Sequence, residues 1–247
     1  MTEVQTDMGV RDVNLTVIGT GSSGNGYILD CGGDKLLLEC GMPLKKVLEA
    51  LEYDISGVCG VLVSHEHGDH AAYLPRYADF FAVYGNETLF RRYSTKVTHL
   101  KPRKRKKIGN FDIIPLLVPH GECENYAYII RHAMMGVMLF CTDAEKCPYK
   151  IAKLENAIIE CNYVMERVID KMDSNEEIRS SYQTHMELSE CIDFVRKNDR
   201  SLRNIILIHK SSSNFDEREV RSRFNKETCR DVIIASSGDK INLGDDF

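Results

Sequence analysis

The segment Ser64-His65-Glu66-His67-Gly68-Asp69-His70 is the feature that most narrows the fold of this 247-residue chain. It follows Val58–Val63, a continuous apolar run of the kind that forms a strand buried on both faces. Four residues of metal-ligand type therefore stand at one strand end: His65, His67, Asp69 and His70. A loop there can direct the first two at one cation, and the following turn can bring the last two to a second cation about 3.5 Å away. Imidazole and carboxylate ligands suit zinc, with manganese or iron as alternatives.

A complete two-metal site needs more ligands, and three candidates repeat the same placement at a strand end. They are His120 after Phe111–Pro119, Asp143 after Val137–Cys141, and His209 after Asn204–Ile208. Each alone is typical of a structural histidine or a turn-capping aspartate. Three such residues in the same local context predict instead that their strands bring them together in one shared site. His99 and His132 lack this context, so they receive no role in the site.

Strand-like and helix-like segments alternate along the chain without a repeat or a low-complexity linker, which predicts one α/β domain over residues 1–247. Apolar residues at helical spacing predict helices at Pro43–Leu51, Ala71–Ala78, Glu87–Tyr93, Lys146–Leu154, Met186–Lys197 and Asp216–Phe224. Further strands are predicted at Val13–Ile18, Tyr27–Cys31, Lys35–Cys40, Phe81–Tyr84, Tyr126–Arg131, Ala157–Glu160 and Asp231–Ala235.

Composition excludes several classes of protein. With 43% hydrophobic and 28% charged residues, a dominantly disordered chain is excluded, and no apolar run is long enough for a membrane span. The 32 Lys and Arg against 37 Asp and Glu give a net charge of −5, which argues against a surface coated with basic charge. Nine cysteines without a C-x-x-C pair, in a chain that starts without signal-peptide features, indicate reduced thiols. These features predict a cytoplasmic protein, in a bacterium or in the host if phage-encoded, and no membrane partner.

The order His65-x-His67-x-Asp69-His70, then His120, Asp143 and His209, resembles the metallo-β-lactamase-fold hydrolases over essentially the whole chain. This resemblance implies a four-layer αβ/βα sandwich of two mixed sheets flanked by helices, with two Zn²⁺ ions held at one edge. It also implies the ligand sets. The first ion takes His65, His67 and His120, the second takes Asp69, His70 and His209, and Asp143 bridges both.

Three segments resemble the WalJ/YycJ-like branch, which is related to ribonuclease Z and the β-CASP nucleases. They are Gly21–Asn25, Glu160-Cys161-Asn162-Tyr163 and Thr184–Ser189. The resemblance implies that Ser22, Ser23, Asn162 and His185 contact the substrate and that His185 acts as an acid near the scissile phosphate. The chain departs from the branch at Thr184, which replaces the usual Gly before that histidine. It also departs at Glu39, where the family carries Asp, and this puts a hydrogen bond behind a metal-binding histidine in doubt.

The implied activity is a binuclear zinc hydrolase that cleaves phosphodiester bonds with a metal-bridged hydroxide, which Asp69 helps to orient or deprotonate. The first candidate function is a nuclease-like enzyme acting on DNA or RNA. The second is a small-molecule phosphodiesterase of cyclic nucleotides, of the phage anti-defence type. A thioester or lactam hydrolase and a non-catalytic metal-binding scaffold are weaker alternatives. The basic run Lys101–Lys107 either contacts phosphates or forms a solvated loop between Thr98 and Ile108. Dimers are frequent in this superfamily, so a homodimer is a further expectation.

Overall fold

The computed structural model describes residues 12–169 and 182–244, which contain two seven-stranded mixed sheets. In the first sheet the spatial order is β14-β1-β2-β3-β4-β5-β6. Its strands are β1 (Val13–Gly19), β2 (Gly26–Cys31), β3 (Asp34–Leu38), β4 (Val58–Leu62), β5 (Val83–Gly85), β6 (Val97–His99) and β14 (Lys240–Asn242). The strands from β14 to β3 pair antiparallel, and those from β3 to β6 pair parallel.

The second sheet repeats this division, with the spatial order β13-β12-β11-β10-β9-β8-β7. Its strands are β7 (Lys106–Ile108), β8 (Phe111–Val118), β9 (Asn125–His132), β10 (Gly136–Cys141), β11 (Leu154–Glu160), β12 (Asn204–Ile208) and β13 (Ile233–Ile234). The strands from β7 to β10 pair antiparallel, and those from β10 to β13 pair parallel. Both sheets therefore have a parallel part whose carboxyl ends can carry a site.

Helices cover the outer face of each sheet. Six α-helices lie wholly within the described ranges: α1 (Leu44–Ala50), α2 (Gly68–Ala71), α3 (Leu74–Tyr77), α4 (Glu87–Tyr93), α5 (Leu188–Asn198) and α6 (Glu217–Thr228). Single 3₁₀ turns lie at Ser94–Lys96, Met165–Arg167 and Asp199–Ser201. Among residues 12–169 and 182–244, no helix is long and apolar enough to cross a membrane.

Three buried clusters show the four layers. Alternate residues of both sheets meet in the central cluster, as Leu15 and Leu29 do with Phe140 and Ile206. The opposite face of the first sheet packs against α1, α3 and α4, and the opposite face of the second packs against α5 and α6. This period-2 division of apolar side chains is what a sheet buried on both faces requires. The predicted four-layer αβ/βα architecture of two mixed sheets flanked by helices is confirmed.

Some predicted elements were wrong. Residues 146–153 form no helix, because Pro148 interrupts the segment and the Asn198 side chain captures its backbone instead. The helix predicted at Ala71–Ala78 is two short helices, α2 and α3, with Pro75 in the first turn of the second. The segment between Thr98 and Ile108 is not entirely loop, since Lys106–Ile108 forms the edge strand β7.

Candidate metal centre

All seven predicted ligands lie beyond the carboxyl ends of strands, in groups whose donor atoms are within 4.8 Å of one another. The segment after β4 of the first sheet supplies four of them: His65, His67, Asp69 and His70. Strands β8, β10 and β12 of the second sheet lead into the other three: His120, Asp143 and His209. The site therefore joins the two sheets, as the shared placement at strand ends predicted.

The first group consists of His65, His67, His120 and Asp143. His67 Nδ1 lies 3.0 Å from His65 Nε2 and 3.2 Å from His120 Nε2. Asp143 Oδ2 lies 3.8 Å from His65 Nε2 and 3.9 Å from His120 Nε2. Three imidazole nitrogens and one carboxylate oxygen thus converge on a common point.

The second group consists of Asp69, His70, Asp143 and His209. His70 Nε2 lies 3.2 Å from Asp69 Oδ2 and 3.3 Å from Asp143 Oδ1. His209 Nε2 lies 3.4 Å from Asp69 Oδ2 and 3.3 Å from Asp143 Oδ1. Asp143 therefore directs one oxygen to each group, which is the geometry of a bridging carboxylate.

The spacing of these donors fits a divalent ion. Ligand atoms bonded to a tetrahedral zinc ion at about 2.0–2.1 Å lie about 3.4 Å from one another. The donor pairs of the second group, at 3.2–3.4 Å, match that separation. Those of the first group, at 3.0–3.9 Å, bracket it. Both groups are therefore able to hold a metal ion.

Hydrogen bonds behind the histidines orient their metal-facing nitrogens. His65 Nδ1 is 2.9 Å from Ser64 Oγ, and His120 Nδ1 donates to the carbonyl of Thr184 at 2.8 Å. His209 Nδ1 lies 3.1 Å from Glu160 Oε1. Such partners set the tautomer and the ring orientation of a ligand histidine.

Glu39 takes the corresponding place behind His70. Its carboxylate accepts the backbone N–H of Ser64 at 3.2 Å and lies 3.4 Å from His70 Nδ1. Both side chains are buried. The longer side chain of Glu is thus accommodated with an ionic contact to His70, although within the described residues His70 Nδ1 has no hydrogen-bond partner.

Two ligands occupy left-handed backbone conformations, Asp143 with φ of 47° and His209 with φ of 55°. Residues with a Cβ pay for this region, and such strain concentrates at functional sites. Backbone contacts compensate here, since the Asn125 side chain donates to the carbonyl of Asp143, and the N–H of His209 donates to Thr20 Oγ1 at 2.9 Å. In these conformations, the side chains of both residues are buried within the donor groups.

The predicted acid His185 lies beside the cage. Its Nδ1 is 2.7 Å from Glu160 Oε1, and its ring stacks on His209 with centroids 5.2 Å apart. Its side chain is 20% exposed, whereas that of Glu160 is fully buried. Glu160 Oε2 accepts the N–H of Ala144 at 2.8 Å, so this carboxylate is held on both oxygens. Glu160 is also the last residue of β11, so the strand-end criterion could have identified it from the sequence.

The pKa values of the buried histidines shift in two opposite directions. Burial lowers the pKa of His65 well below its usual value, and it also lowers the pKa of His120. Burial acts in the same direction on His70 and His209, but the Asp143 carboxylate outweighs it. The pKa of His70 is therefore raised well above its usual value, and that of His209 is raised to about 10. In return these two histidines overcome the effect of burial on Asp143 and hold the pKa of its carboxyl well below the usual value.

The same balance applies around Glu160 and Asp69. Burial alone would lower the pKa of His185, but the adjacent Glu160 carboxylate raises it above the usual value. Burial opposes ionisation of Asp69, but hydrogen bonds from His209 and His70 lower the pKa of its carboxyl. The lowered pKa values of Asp69, Asp143 and Glu160 thus favour their ionised forms, whereas burial raises the pKa of Glu39.

The predicted substrate contacts fall into two groups. Ser22 and Ser23 are exposed on the turn that leads to Asn25. Asn162 is buried and donates to the carbonyl of His209 at 2.7 Å, so the structure shows it holding a ligand residue. Sequence reasoning missed Asn25, whose Nδ2 lies 3.0 Å from His70 Nε2 and 3.3 Å from Asp69 Oδ2.

Comparison of the sequence with known proteins finds similarity to several relatives. The family described as anti-Pycsar protein Apyc1 matches residues 13–91. The anti-Pycsar protein Apyc1 of Paenibacillus xerothermodurans is 32% identical over 72 residues, 27% of this chain and 29% of that protein. Exodeoxyribonuclease YycJ of Bacillus anthracis is 28% identical over 135 residues, 49% of this chain and 50% of that protein. Ribonuclease Z of Clostridium botulinum is 27% identical over 135 residues, 52% of this chain and 40% of that protein. The matched segments thus span half or less of each relative's length.

Solved structures extend the similarity of the fold to nearly the whole chain. The metallo-β-lactamase fold protein YhfI from Bacillus subtilis superposes with a TM-score of 0.71 at 21% identity, covering 93% of this chain and 99% of that one. The short form of human tRNase Z superposes with a TM-score of 0.63 at 14% identity, covering 93% and 99%. With two mixed sheets and a histidine and aspartate cluster between their strand ends, the chain is a protein of the metallo-β-lactamase fold, similar in sequence to YycJ and ribonuclease Z over about half of its length.

Proposed function

We propose that the protein is a binuclear metal-dependent phosphodiesterase. The observation that carries this proposal is the pair of donor groups that share Asp143, one oxygen to each. In the proposed assignment, the first ion is held by His65, His67 and His120, and the second by Asp69, His70 and His209. We take both to be Zn²⁺, with Mn²⁺ or Fe²⁺ as alternatives, because nitrogen and carboxylate donors suit these ions. When bound, two such ions would lower the pKa of water held between them toward about 7 and neutralise phosphoryl oxygens.

Asp69 is the residue proposed to orient the attacking water or to receive its proton. Its Oδ2 is held by His70 and His209, and its side chain remains 22% exposed at the mouth of the site. Because the two histidines keep the carboxyl ionised, it can accept a hydrogen bond from that water and orient it.

His185 is proposed to protonate the leaving oxygen. Glu160 holds its Nδ1, so its Nε2 is the nitrogen free to face the leaving group. The carboxylate raises the pKa of the imidazole, which favours the protonated form that can act as an acid. A thioester or lactam hydrolase does not need this Glu160–His185 pair, and a scaffold without catalysis does not need a complete cage.

The proposal is tested by replacing His67 and Asp69 with Ala and assaying bis-p-nitrophenyl phosphate, with the metal content measured in parallel. We expect hydrolysis and bound metal to be lost together, because each proposed ion loses a ligand. The matched control, His99→Ala, changes a histidine outside the site and should leave both unchanged. Full hydrolysis in the double variant would refute the assignment.

A second variant, His185→Gln, tests the acid. A p-nitrophenolate departs without a proton, whereas the alkoxide of a nucleotide sugar needs one. We therefore expect kcat to fall about 10²–10⁴-fold on a nucleotide substrate and to change little on bis-p-nitrophenyl phosphate. An equal loss on both substrates would show that His185 has a structural role only.

Two substrate classes fit this chemistry, and each has its own support. The similarity to YycJ and ribonuclease Z over about half of this chain supports nucleic acid. The match of residues 13–91 to the anti-Pycsar family supports the cyclic-nucleotide phosphodiesterase of anti-defence type. A panel of single- and double-stranded DNA, RNA and cyclic mononucleotides distinguishes them by kcat/KM. A homodimer and a cytoplasmic location remain predictions, which light scattering and cell fractionation would test.

A further inference from the structure

The basic run Lys101–Lys107 forms an exposed strip along one edge of the second sheet. Its last residues belong to β7, the terminal strand, and its six charged side chains are all exposed. Arg105 is paired with Asp112 at 2.9 Å. The other five basic side chains, which we call the basic strip, concentrate positive charge on a protein whose net charge is −5: Lys101, Arg103, Lys104, Lys106 and Lys107.

A second concentration of positive charge surrounds a cavity of about 290 Å³ between the segment before β11 and the end of α5. Five of its nine lining residues are basic: Lys150, Lys153, Arg196, Lys197 and Arg200. Arg196 pairs with Glu227 at 3.1 Å and with Asp193 at 3.6 Å. The remaining four define the basic cavity.

Side-chain contacts connect the basic strip to the basic cavity. The Arg103 guanidinium lies over the Tyr149 ring at 5.9 Å, and Tyr149 directly precedes Lys150 of the cavity. Asn198, at the end of α5, donates to the carbonyl of Tyr149 at 3.2 Å and accepts the N–H of Ile151 at 2.7 Å. The strip and the cavity are therefore neighbouring parts of one surface.

This surface lies further from the cage than a single nucleotide can reach. The backbone N–H of Arg103 donates to the carbonyl of Pro115, and His120 lies five residues further along, roughly 16 Å in an extended chain. Lys153 directly precedes β11, and Glu160 at the other end of that strand lies beside the cage, roughly 20 Å away. Groups that contact both the cage and the basic cavity must belong to a ligand of several nucleotides.

We propose that the basic strip and the basic cavity form one binding track for the phosphate backbone of a nucleic acid chain whose scissile bond lies at the metal cage. The role of this track in substrate binding rests on the proposed phosphodiesterase function. The binding of a nucleic acid chain to the track does not. Lysine and arginine side chains that neutralise phosphates release condensed counterions, so the track would supply affinity without reading sequence. A flat anionic membrane fits less well, because a bilayer cannot enter the cavity, whereas a flexible strand can.

The test measures fluorescence anisotropy with a labelled single strand of about 20 nucleotides over a salt series. Lys104→Glu with Lys106→Glu alters the strip, and Lys197→Glu with Arg200→Glu alters the cavity. Lys45→Glu with Lys46→Glu on exposed α1 is the matched control, since it changes the net charge equally on the first sheet's helical face. We expect each track variant to bind roughly tenfold more weakly, with the salt slope shallower by about 1.4 for two lost phosphate contacts. The control should differ little from the wild type.

Hydrolysis of bis-p-nitrophenyl phosphate by the same proteins separates this proposal from the proposed function. None of the variants touches the cage, so we expect unchanged hydrolysis, which also verifies folding. If track and control variants bind the strand equally, the track is refuted. If the wild type binds phosphatidylserine vesicles and not the strand, the partner is a membrane and the proposal is wrong. If the wild type hydrolyses nothing but its binding depends on the track, only the phosphodiesterase assignment fails.

Discussion

At the scale of single residues, the two halves of the cage differ in the charge of their histidines. In the metal-free protein, burial keeps His65 and His120 neutral, whereas Asp143 keeps His70 and His209 protonated, the latter with a pKa of about 10. Their positive charges balance the carboxylates of the second group. Only the neutral imidazole binds a metal ion, so the second group must release protons when it is loaded.

We predict that loading the second group releases up to two protons and weakens as the pH falls, whereas loading the first releases fewer, because burial favours neutral His65 and His120. The sign follows from the raised pKa values, because a lower pH keeps His70 and His209 protonated. Isothermal titration with Zn²⁺ in buffers of different ionisation enthalpy measures the protons released at each step. Asp69→Asn, which impairs the second group, should abolish the proton-releasing step. Equal proton release at both steps would contradict the prediction.

Residue identity and position identified the seven side chains that the structure brings together, because each follows a strand with a readable apolar pattern. The same reasoning missed Asn25, whose contacts with Asp69 and His70 span 44 and 45 residues of chain. It did not predict that the Asn162 side chain donates to the carbonyl of His209, and the substrate contact of Asn162 stays a prediction. Strand ends can be read locally, but the partners of a ligand depend on which loops the tertiary fold brings together.

At the scale of secondary-structure elements, long strands were easier to predict than short edge strands. β12 has the predicted bounds and β8 ends one residue before the predicted Pro119, because both apolar patterns span five or more residues. Three-residue strands such as β6, β7 and β14 show too little periodicity and exist through pairing with distant neighbours. The helix expected at Lys146–Leu154 failed for a related reason, since Asn198 of α5 supplies the hydrogen bonds that a helix would have made internally.

The N-cap residue of helix α4 joins this helix to the metal-binding segment. This residue, Asn86, is buried; its side chain accepts the N–H of Leu89 at 2.8 Å and donates to the carbonyls of Ser64 and Glu124. Ser64 precedes the first ligand, so this side chain links α4 to the metal-binding segment. Asn86→Ala removes the cap and leaves two carbonyls without this donor.

We predict that Asn86→Ala lowers the free energy of unfolding by about 2–3 kcal/mol, the sum of a lost cap and two lost side-chain hydrogen bonds to carbonyls. Urea unfolding monitored by circular dichroism measures the change. The control is Asn110→Ala, which removes an exposed side-chain bond to Asp34 and should cost less than about 0.5 kcal/mol. Similar losses in both variants would mean that the buried position of Asn86 contributes nothing.

At the scale of the whole molecule, the cage connects the two sheets. The segment after β4 brings four ligands from the first sheet, and strands β8, β10 and β12 bring three from the second. Between the sheets lies a core that includes Phe140 and Ile206, so the metal site is at one edge of an interface already held by apolar contacts. In the metal-free protein, ionic contacts from His70 and His209 to the carboxylates add to this interface below pH of about 6.5. That contribution is lost as the pH rises through their raised pKa values.

Metal binding should therefore stabilise the folded chain, because the unfolded chain has no preformed cage. One ion at a free concentration of 100 times its Kd contributes about 2.7 kcal/mol, or roughly 5–10 °C in melting temperature for a chain of this size. Thermal unfolding followed by circular dichroism, first with EDTA and then with excess Zn²⁺, measures the shift. Asp143→Asn weakens the carboxylate that both groups share, so the melting temperature of this variant should respond far less to zinc. If the wild-type protein melts at the same temperature with chelator and with zinc, the two sheets are not joined by metal in the way the donor geometry predicts.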